Sequence, residues 1–299
     1  MNDAKIRLRY LDETVRLLHP GSGSPRAYSV LPHRLLPRRL APRRWWHPGR
    51  KVVLAAEGSI AAHLSEVLGA PIETVLHVRP ARRANRKPIL EAWSGGERLA
   101  YVKIGDTSRA RELVAHEAAA LRRLADQALK TVVAPAVLHH GRWRDLEVLA
   151  LSPLPVRRGR VSATLLTDAV REIAATGGPA GAAWHGDLSP WNISPSADGR
   201  LLVWDWERYA VGVPCGFDAL HHLFQRALRR MDPATAARAC LAQSVGVLAP
   251  FGLSAAQARL TALHYLIALA DRHAADGHSP LGSPDVWLNP LLDHQELLT

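Results

Sequence analysis

Residues 184–222 read WHGDLSPWNISPSADGRLLVWDWERYAVGVPCGFDALHH and form the most informative segment of the chain. Three of its polar residues, Asp187, Asn192 and Asp205, are separated by five and thirteen positions. Asp198-Gly199 lies midway between the last two and favours a two-residue hairpin turn. With that turn Asn192 falls directly opposite Asp205, and their Cβ atoms lie roughly 4.5–5.5 Å apart. An amide oxygen and a carboxylate at that distance can share one hard divalent cation, and all-oxygen ligation without thiolate indicates Mg2+. Asp187, five residues earlier in a turn-rich stretch, stands near enough to act as a base without being a ligand.

Upstream, Glu73–Val78 reads as a strand. Ile89–Trp93 and Leu99–Ile104 follow as two strand arms joined through Ser94-Gly95-Gly96-Glu97, a glycine-containing hairpin connection. Alternation puts Leu99, Tyr101 and Lys103 on one face of the second arm and Ala100, Val102 and Ile104 on the other. The next periodic segment, Ser108–Ala125, carries Leu113, Glu117, Leu121 and Leu124 at spacings of four, four and three, so Glu117 lies on the apolar stripe of a helix. A carboxylate there needs a partner, and Lys103 on the preceding strand is the natural one. Leu146–Leu151 reads as a buried strand. After a modest helix at about 165–175, the chain beyond Phe217 is mainly helical, with apolar periodicity over 217–229, 234–247 and 254–275. The first 70 residues hold a short helix, a loop at Gly21–Pro25, an extended piece around Ser29–Leu36, a Pro/Arg-rich stretch and a helix over Val52–Leu68. They read as an N-terminal extension without an evident role. The expected organisation is therefore α+β: the extension (1–70), a small mixed lobe (71–155) and a mostly helical lobe (156–299).

The 299-residue chain is 47% hydrophobic and 22% charged, which excludes disorder as its main state. Its two cysteines cannot build a disulfide framework, no Cys/His spacing reads as a zinc site, and no apolar run approaches the roughly 18 residues of a membrane span. A cytoplasmic setting with no membrane partner is the expectation. The net charge of +11 is uneven. Residues 1–180 hold 30 Lys and Arg against 16 Asp and Glu, whereas residues 181–299 hold 8 against 11. A basic first half suits nucleic acid, phospholipid or a small polyphosphate. Because the basic residues are scattered and no helix-turn-helix, finger or RNP signature occurs, nucleic acid is not expected as a partner.

HGDLSPWN followed by VWDWE resembles the catalytic loop and metal-binding segment of the aminoglycoside phosphotransferase and choline kinase superfamily, relatives of the protein kinases. It agrees in order and spacing with the protein-kinase pattern H-R-D-L-x-x-x-N and the aspartate of D-F-G. The resemblance implies a protein-kinase-like bilobal fold with a small mixed N-lobe and a mostly helical C-lobe. It implies Asp187 as the residue that accepts the substrate hydroxyl proton, Asn192 and Asp205 as holders of Mg2+, and Lys103 as the lysine on the nucleotide phosphates, oriented by Glu117. Asp218, in GFDALHH, matches an acidic residue that supports the catalytic loop from a buried helix. The implied activity is ATP- or GTP-dependent phosphoryl transfer to the hydroxyl of an amino sugar, sugar or amino alcohol. Nucleotide and small-molecule acceptor are then the partners, and the oligomeric state is left open.

The sequence departs from the family pattern at three places. ARRANRKP, residues 81–88, stands where protein kinases have a glycine-rich phosphate loop, so side chains must substitute for backbone amides; Arg82, Arg83, Asn85, Arg86 and Lys87 are the candidates, since Arg suits bidentate contact with phosphate. Ser152 and Leu154, after the apolar run, are further candidate nucleotide contacts. Position 189 is Ser where protein kinases often have Lys, and the short stretch between Ser152 and His185 implies a reduced acceptor pocket. Two rival classes follow: a pseudokinase that binds nucleotide or a partner protein, and a metal-dependent hydrolase, which leaves Lys103 and Glu117 without a purpose. Among the tryptophans near the motif, Trp204 reads as a packing residue. His221 and His222 read as ordinary core or surface histidines.

Overall fold

A computed structural model of the chain describes residues 3–21, 23–33, 36–47, 50–78, 86–277 and 281–291. The first elements in chain order are α1 (Asp3–Leu18), β1 (Pro25–His33), β2 (Leu36–Pro42), β3 (Arg50–Ala55), α2 (Ile60–Leu68) and β4 (Glu73–His77). Next come β5 (Ile89–Ser94), β6 (Glu97–Gly105), α3 (Ser108–Ala125), β7 (Val132–Val133), β8 (Val137–Trp143), β9 (Leu146–Leu151) and α4 (Ala163–Ala175). The remainder holds β10 (Ala182–Trp184), β11 (Ile193–Pro195), β12 (Leu201–Val203), β13 (Ala210–Val213), α5 (Phe217–Leu228), α6 (Pro233–Leu248), α7 (Ala255–Ala275) and α8 (Pro284–Trp287). The architecture is α+β, as the sequence implies, with strands gathered early and helices late. The chain divides into two compact units, Met1–Ala118 with Ala136–Pro153, and Ala119–Pro135 with Leu154–Thr299.

The first unit is built on one antiparallel sheet of eight strands in the order β3-β1-β2-β4-β5-β6-β9-β8. Ser94 and Glu97 face each other across Gly95 and Gly96, whose φ values of 57° and 88° are those a two-residue primed turn demands. One core collects Tyr10, Leu11 and Leu18 from α1, Ile60 and Leu64 from α2, and Leu40, Leu76, Leu90, Val102 and Val148 from the sheet. Each such side chain, once buried, stabilises the unit by about 1.5–3 kcal/mol before ordering entropy is counted.

Two expectations are corrected here. Residues 1–70 are not an appendage to a lobe that starts at 71. Arg39 and Leu40 of β2 pair with His77 and Leu76 of β4, so β1–β3 extend the same sheet and share its core. The expected helix over Val52–Leu68 is also a strand followed by a helix. Lys51, Val52 and Val53 pair with Ser29, Tyr28 and Ala27 of β1, where β-branched side chains fit. Helix α2 begins only after Ser59, whose hydroxyl accepts from the Ala62 amide as an N-cap.

In the second unit, β11 and β12 form a hairpin whose β12 strand also runs parallel to β7. Glu172 of α4 fixes the approach to β7 by accepting from the amides of Lys130, Thr131 and Val132 at 2.6–3.1 Å. Helices α5, α6 and α7 close over a core of Phe217, Leu220, Phe224, Cys240, Tyr265, Leu266 and Trp287. The β11–β12 register differs by one residue from the expected one. Ile193 faces Val203 and Ser194 faces Leu202, which places Asn192 opposite Trp204 and leaves Asp205 one step beyond. The cause is the turn. The Ser196 amide bonds to the Arg200 carbonyl at 2.8 Å around three residues, Ala197, Asp198 and Gly199, with Gly199 at φ 83° in the left-handed position of a three-residue hairpin loop.

Candidate active site

In the first unit, Lys103 and Glu117 meet as the alternation and the helical stripe require. Lys103 Nζ donates to both carboxylate oxygens of Glu117, at 2.7 and 2.6 Å. Lys103 is 8% exposed and Glu117 is fully buried, on the side of β6 opposite the core residues Ala100, Val102 and Ile104. In so dry a place either charge alone would cost several kcal/mol, so the pair is a unit. Of the basic loop, Arg82, Arg83 and Asn85 lie outside the described residues. Arg86 is engaged by α1: its guanidinium donates to Glu13 at 3.3 Å and sits 5.4 Å from the centre of the Tyr10 ring. Lys87 is half-buried. Ser152 exchanges two hydrogen bonds with Ala136 at 2.9 and 2.8 Å, and the chain passes from the first unit to the second between Pro153 and Leu154.

In the second unit, the segment His185–Asn192 is pinned from several directions. Asp218, in the first turn of α5, accepts from the amides of His185 at 2.7 Å and Gly186 at 3.1 Å. Burial pushes its carboxyl up to about 7, against the pull of those two amides. Gly186 has φ 81°, and a Cβ there would lie 2.2 Å from the Arg208 carbonyl oxygen, so no other residue fits. The Asp187 amide donates to His185 Nδ1 at 3.1 Å, which leaves Nε2 to donate to the Trp204 carbonyl at 3.2 Å. Both bonds require the neutral imidazole, in accord with a pKa that burial drives down to about 4. His185 thus fastens the loop to the strand end that carries Asp205.

Asp187 has three side-chain donors. Ser189 Oγ and His221 Nε2, the latter at 2.9 Å, donate to Oδ1; Asn192 Nδ2 donates to Oδ2 at 3.0 Å and to the Asp187 carbonyl at 2.9 Å. Burial by itself would raise the carboxyl pKa, but the bonds from His221 and Ser189 outweigh it and hold Asp187 below the usual carboxylate range. His221 is fully buried and its pKa is lowered, chiefly by burial. As a neutral ring that donates from Nε2, it accepts at Nδ1 from the Tyr265 hydroxyl at 3.0 Å. The next residue, His222, donates from Nδ1 to the Leu188 carbonyl at 3.1 Å. Ser189, where a lysine is frequent in protein kinases, serves as a hydrogen-bond donor to the loop aspartate.

Asn192 and Asp205 keep the donor set of a hard cation despite the register shift. The Asn192 nitrogen is committed to Asp187, so its oxygen is the amide atom left for a cation. Asp205 takes a left-handed backbone, φ 74°, which non-glycine residues adopt rarely and Asp more readily than most. Its carboxylate acts electrostatically on both Asp187 and His185. A carboxylate and an amide oxygen beside the anionic Asp187, without sulfur or an available imidazole, fit Mg2+.

Sequence reasoning missed four contributors. His221 and His222 are loop-fixing residues, and Tyr265 and Arg272 of α7 support from behind. Arg272 donates to the Gly186 carbonyl and lies 5.6 Å from the centre of the Trp184 ring. The spacing of Asp218 and His221, three apart on one helix face, was the available signal. The tryptophan reading is corrected too. Trp206 is the packing residue, fully buried, 4.5 Å from His185 ring to ring and bonded through Nε1 to the Val203 carbonyl at 3.0 Å; Trp204 is only half-buried.

No protein-family model matches the sequence, and no curated protein does. Solved structures do. The chain superposes on a proposed fructosamine-3-kinase from Haemophilus somnus 129PT with a TM-score of 0.52 at 13% identity, over 79% of this chain and 96% of that one. It also matches the aminoglycoside phosphotransferase APH(2'')-IIa, crystallised as a ternary complex with streptomycin and ATP, at a TM-score of 0.43 and 14% identity, over 75% and 94% of the two chains.

Proposed function

We propose that this chain, which has the protein-kinase-like phosphotransferase fold, moves a phosphoryl group from ATP or GTP to a hydroxyl of a small molecule: an amino sugar, a sugar or an amino alcohol. The observation that carries the reading is the setting of Asp187. It is an anionic carboxylate bound by Asn192, one of the two residues assigned to Mg2+, on a loop fixed by Asp218, His185 and His222. Oδ1 already accepts two hydrogen bonds and Oδ2 one, so the open lone pair that would receive the acceptor's proton is on Oδ2. With its pKa held low, Asp187 is a weak base. It orients the hydroxyl and takes the proton late, which suits a loose phosphoryl-transfer transition state.

Lys103, oriented by Glu117, is assigned to the phosphates of the donor. Lys87, with Arg83 and Asn85, supplies further phosphate contacts, Arg86 joins them only by leaving Glu13, and Ser152 and Leu154 complete the proposed nucleotide set. Mg2+, held by Asn192 and Asp205, would neutralise charge on the transferring group. The test is ADP release in Mg2+/ATP over a panel of sugars, aminoglycosides and amino alcohols, with Asp187→Asn and Asp205→Ala beside the wild type. Acceptor-dependent turnover that both variants lose supports the reading. Turnover unchanged in both variants, or phosphoester hydrolysis without a nucleotide donor, contradicts it.

A further inference from the structure

Glu13 and Glu57 bound a segment of the first unit that contains no acidic residue and nine Lys and Arg. Strands β1, β2 and β3 are formed from it, and β3 is an outer edge of the sheet. The connection from β2 to β3 carries Arg43-Arg44-Trp45-Trp46-His47. Trp45 is 90% exposed and Trp46 61%, their rings packed edge to face with centroids 5.5 Å apart. Neither belongs to the core of the unit. Two large aromatic side chains at the tip of one turn thus contribute little to folding, and their exposure calls for another explanation. Arg38, Arg39, Arg43, Arg44, Arg50 and Lys51 around them are exposed as well. Val53, two residues after Lys51 and on the same face of β3, adds a 55% exposed aliphatic side chain. Arg44 pairs with Glu73 at 2.8 Å, Arg39 with Glu91 at 3.6 Å, and Arg43 donates to the Ser29 hydroxyl at 3.3 Å; Arg38, Arg50 and Lys51 add further exposed positive charge.

We propose that this tip is a docking surface for an anionic lipid bilayer. Trp45 and Trp46 enter the boundary between headgroups and acyl chains, and the surrounding Arg and Lys meet lipid phosphates. The proposal runs against the expectation of no membrane partner. Indoles suit that boundary because the ring is apolar and its N–H is polar, and basic side chains beside them add attraction to anionic headgroups. Single-stranded nucleic acid is the other polyanion that tryptophan and arginine bind. It stacks successive bases on ring faces along a charged groove, whereas these two exposed rings stand at 88° to each other. The proposal is independent of the phosphotransfer reading, since none of these residues belongs to that site.

The experiment is co-sedimentation of the full chain with phosphatidylcholine vesicles and with vesicles containing about 30% phosphatidylglycerol, at low salt and at about 0.5 M NaCl. Three chains are compared: wild type, Trp45→Ala/Trp46→Ala and Arg50→Glu/Lys51→Glu, with far-UV circular dichroism and Tm as folding controls. Because the substituted side chains are exposed, all three should fold alike. The proposal expects binding to the anionic vesicles that salt weakens, and a loss on the order of tenfold in partitioning for the tryptophan variant. The charge-reversal variant should lose binding to the anionic vesicles and behave towards neutral ones as the wild type does. Absence of wild-type binding to anionic vesicles overturns it, as does undiminished binding by the folded tryptophan variant. Tryptophan-dependent binding to poly(U) with no vesicle binding overturns it in favour of nucleic acid.

Discussion

Two carboxylates, the fully buried Glu117 of the first unit and the half-buried Asp187 of the second, are matched by different means. Glu117 is matched by a cation, with Lys103 Nζ at 2.7 and 2.6 Å from its two oxygens. Asp187 is matched by neutral donors, Ser189, His221 and Asn192. The first arrangement cancels its charge internally and holds a lysine in place. The second leaves a net negative charge on a fixed group, which is what an acceptor hydroxyl and a cation require. Stability and chemistry should therefore respond in opposite proportions when the two are disturbed.

The largest stability effect is expected from Lys103→Met. Leaving Glu117 without its partner should cost about 3–5 kcal/mol in denaturant unfolding, and Lys103→Met/Glu117→Leu should recover most of it without recovering activity. Recovery of activity in the double variant would break the contrast. Asp218→Asn comes next, at about 1–3 kcal/mol, because an amide cannot accept equally well from both the His185 and Gly186 amides.

That variant also alters the pH dependence of stability. The folded-state pKa of Asp218 is raised from 3.8 to about 7, so its contribution favours the fold at low pH and is lost as pH rises across that interval. His185 is depressed from 6.5 to about 4, so its contribution is present above 6.5 and is lost as pH falls towards 4. His221, also lowered, acts in the same direction as His185. Between about 4 and 6.5 the two tendencies oppose each other in the wild type. Asp218→Asn should unmask a steeper fall in Tm on acidification through that range; parallel Tm-versus-pH curves for variant and wild type would contradict the assignment.

The smallest effect is expected from His221→Gln, about tenfold in kcat with KM nearly unchanged. With one donor to Asp187 weakened, the acidic limb of the rate profile should move to higher pH. An effect confined to Tm would make His221 merely structural.

The sequence made the Lys103–Glu117 pair legible because each partner follows from local periodicity, two for the strand and 3.6 for the helix. The loop order of Asp187, Asn192 and Asp205 was equally local. What supports that loop was not. His221 reaches Asp187 across 34 residues, Tyr265 reaches His221 across 44 and Arg272 reaches Gly186 across 86, and such contacts depend on how helices α5 and α7 pack. The one-residue register error arose because Asp-Gly serves both a two-residue turn and the last two positions of a three-residue loop. The first 70 residues looked detached because their pairing with the rest of the sheet, Arg39 with His77 and Leu40 with Leu76, joins segments whose own patterns are irregular and proline-rich.

Both the contrast and the proposed activity rest on Asp187. The direct measurement is kcat for the phosphoryl acceptor in Mg2+/ATP, wild type against Asp187→Asn, with Tm measured on the same samples. The account predicts a fall in kcat of about 10²–10⁴-fold below the melting transition of both proteins, with a lower Tm for the variant, since its amide nitrogen must face Ser189 and His221 or Asn192, all donors, at a cost of about 1–3 kcal/mol. Turnover by Asp187→Asn equal to that of the wild type would contradict it.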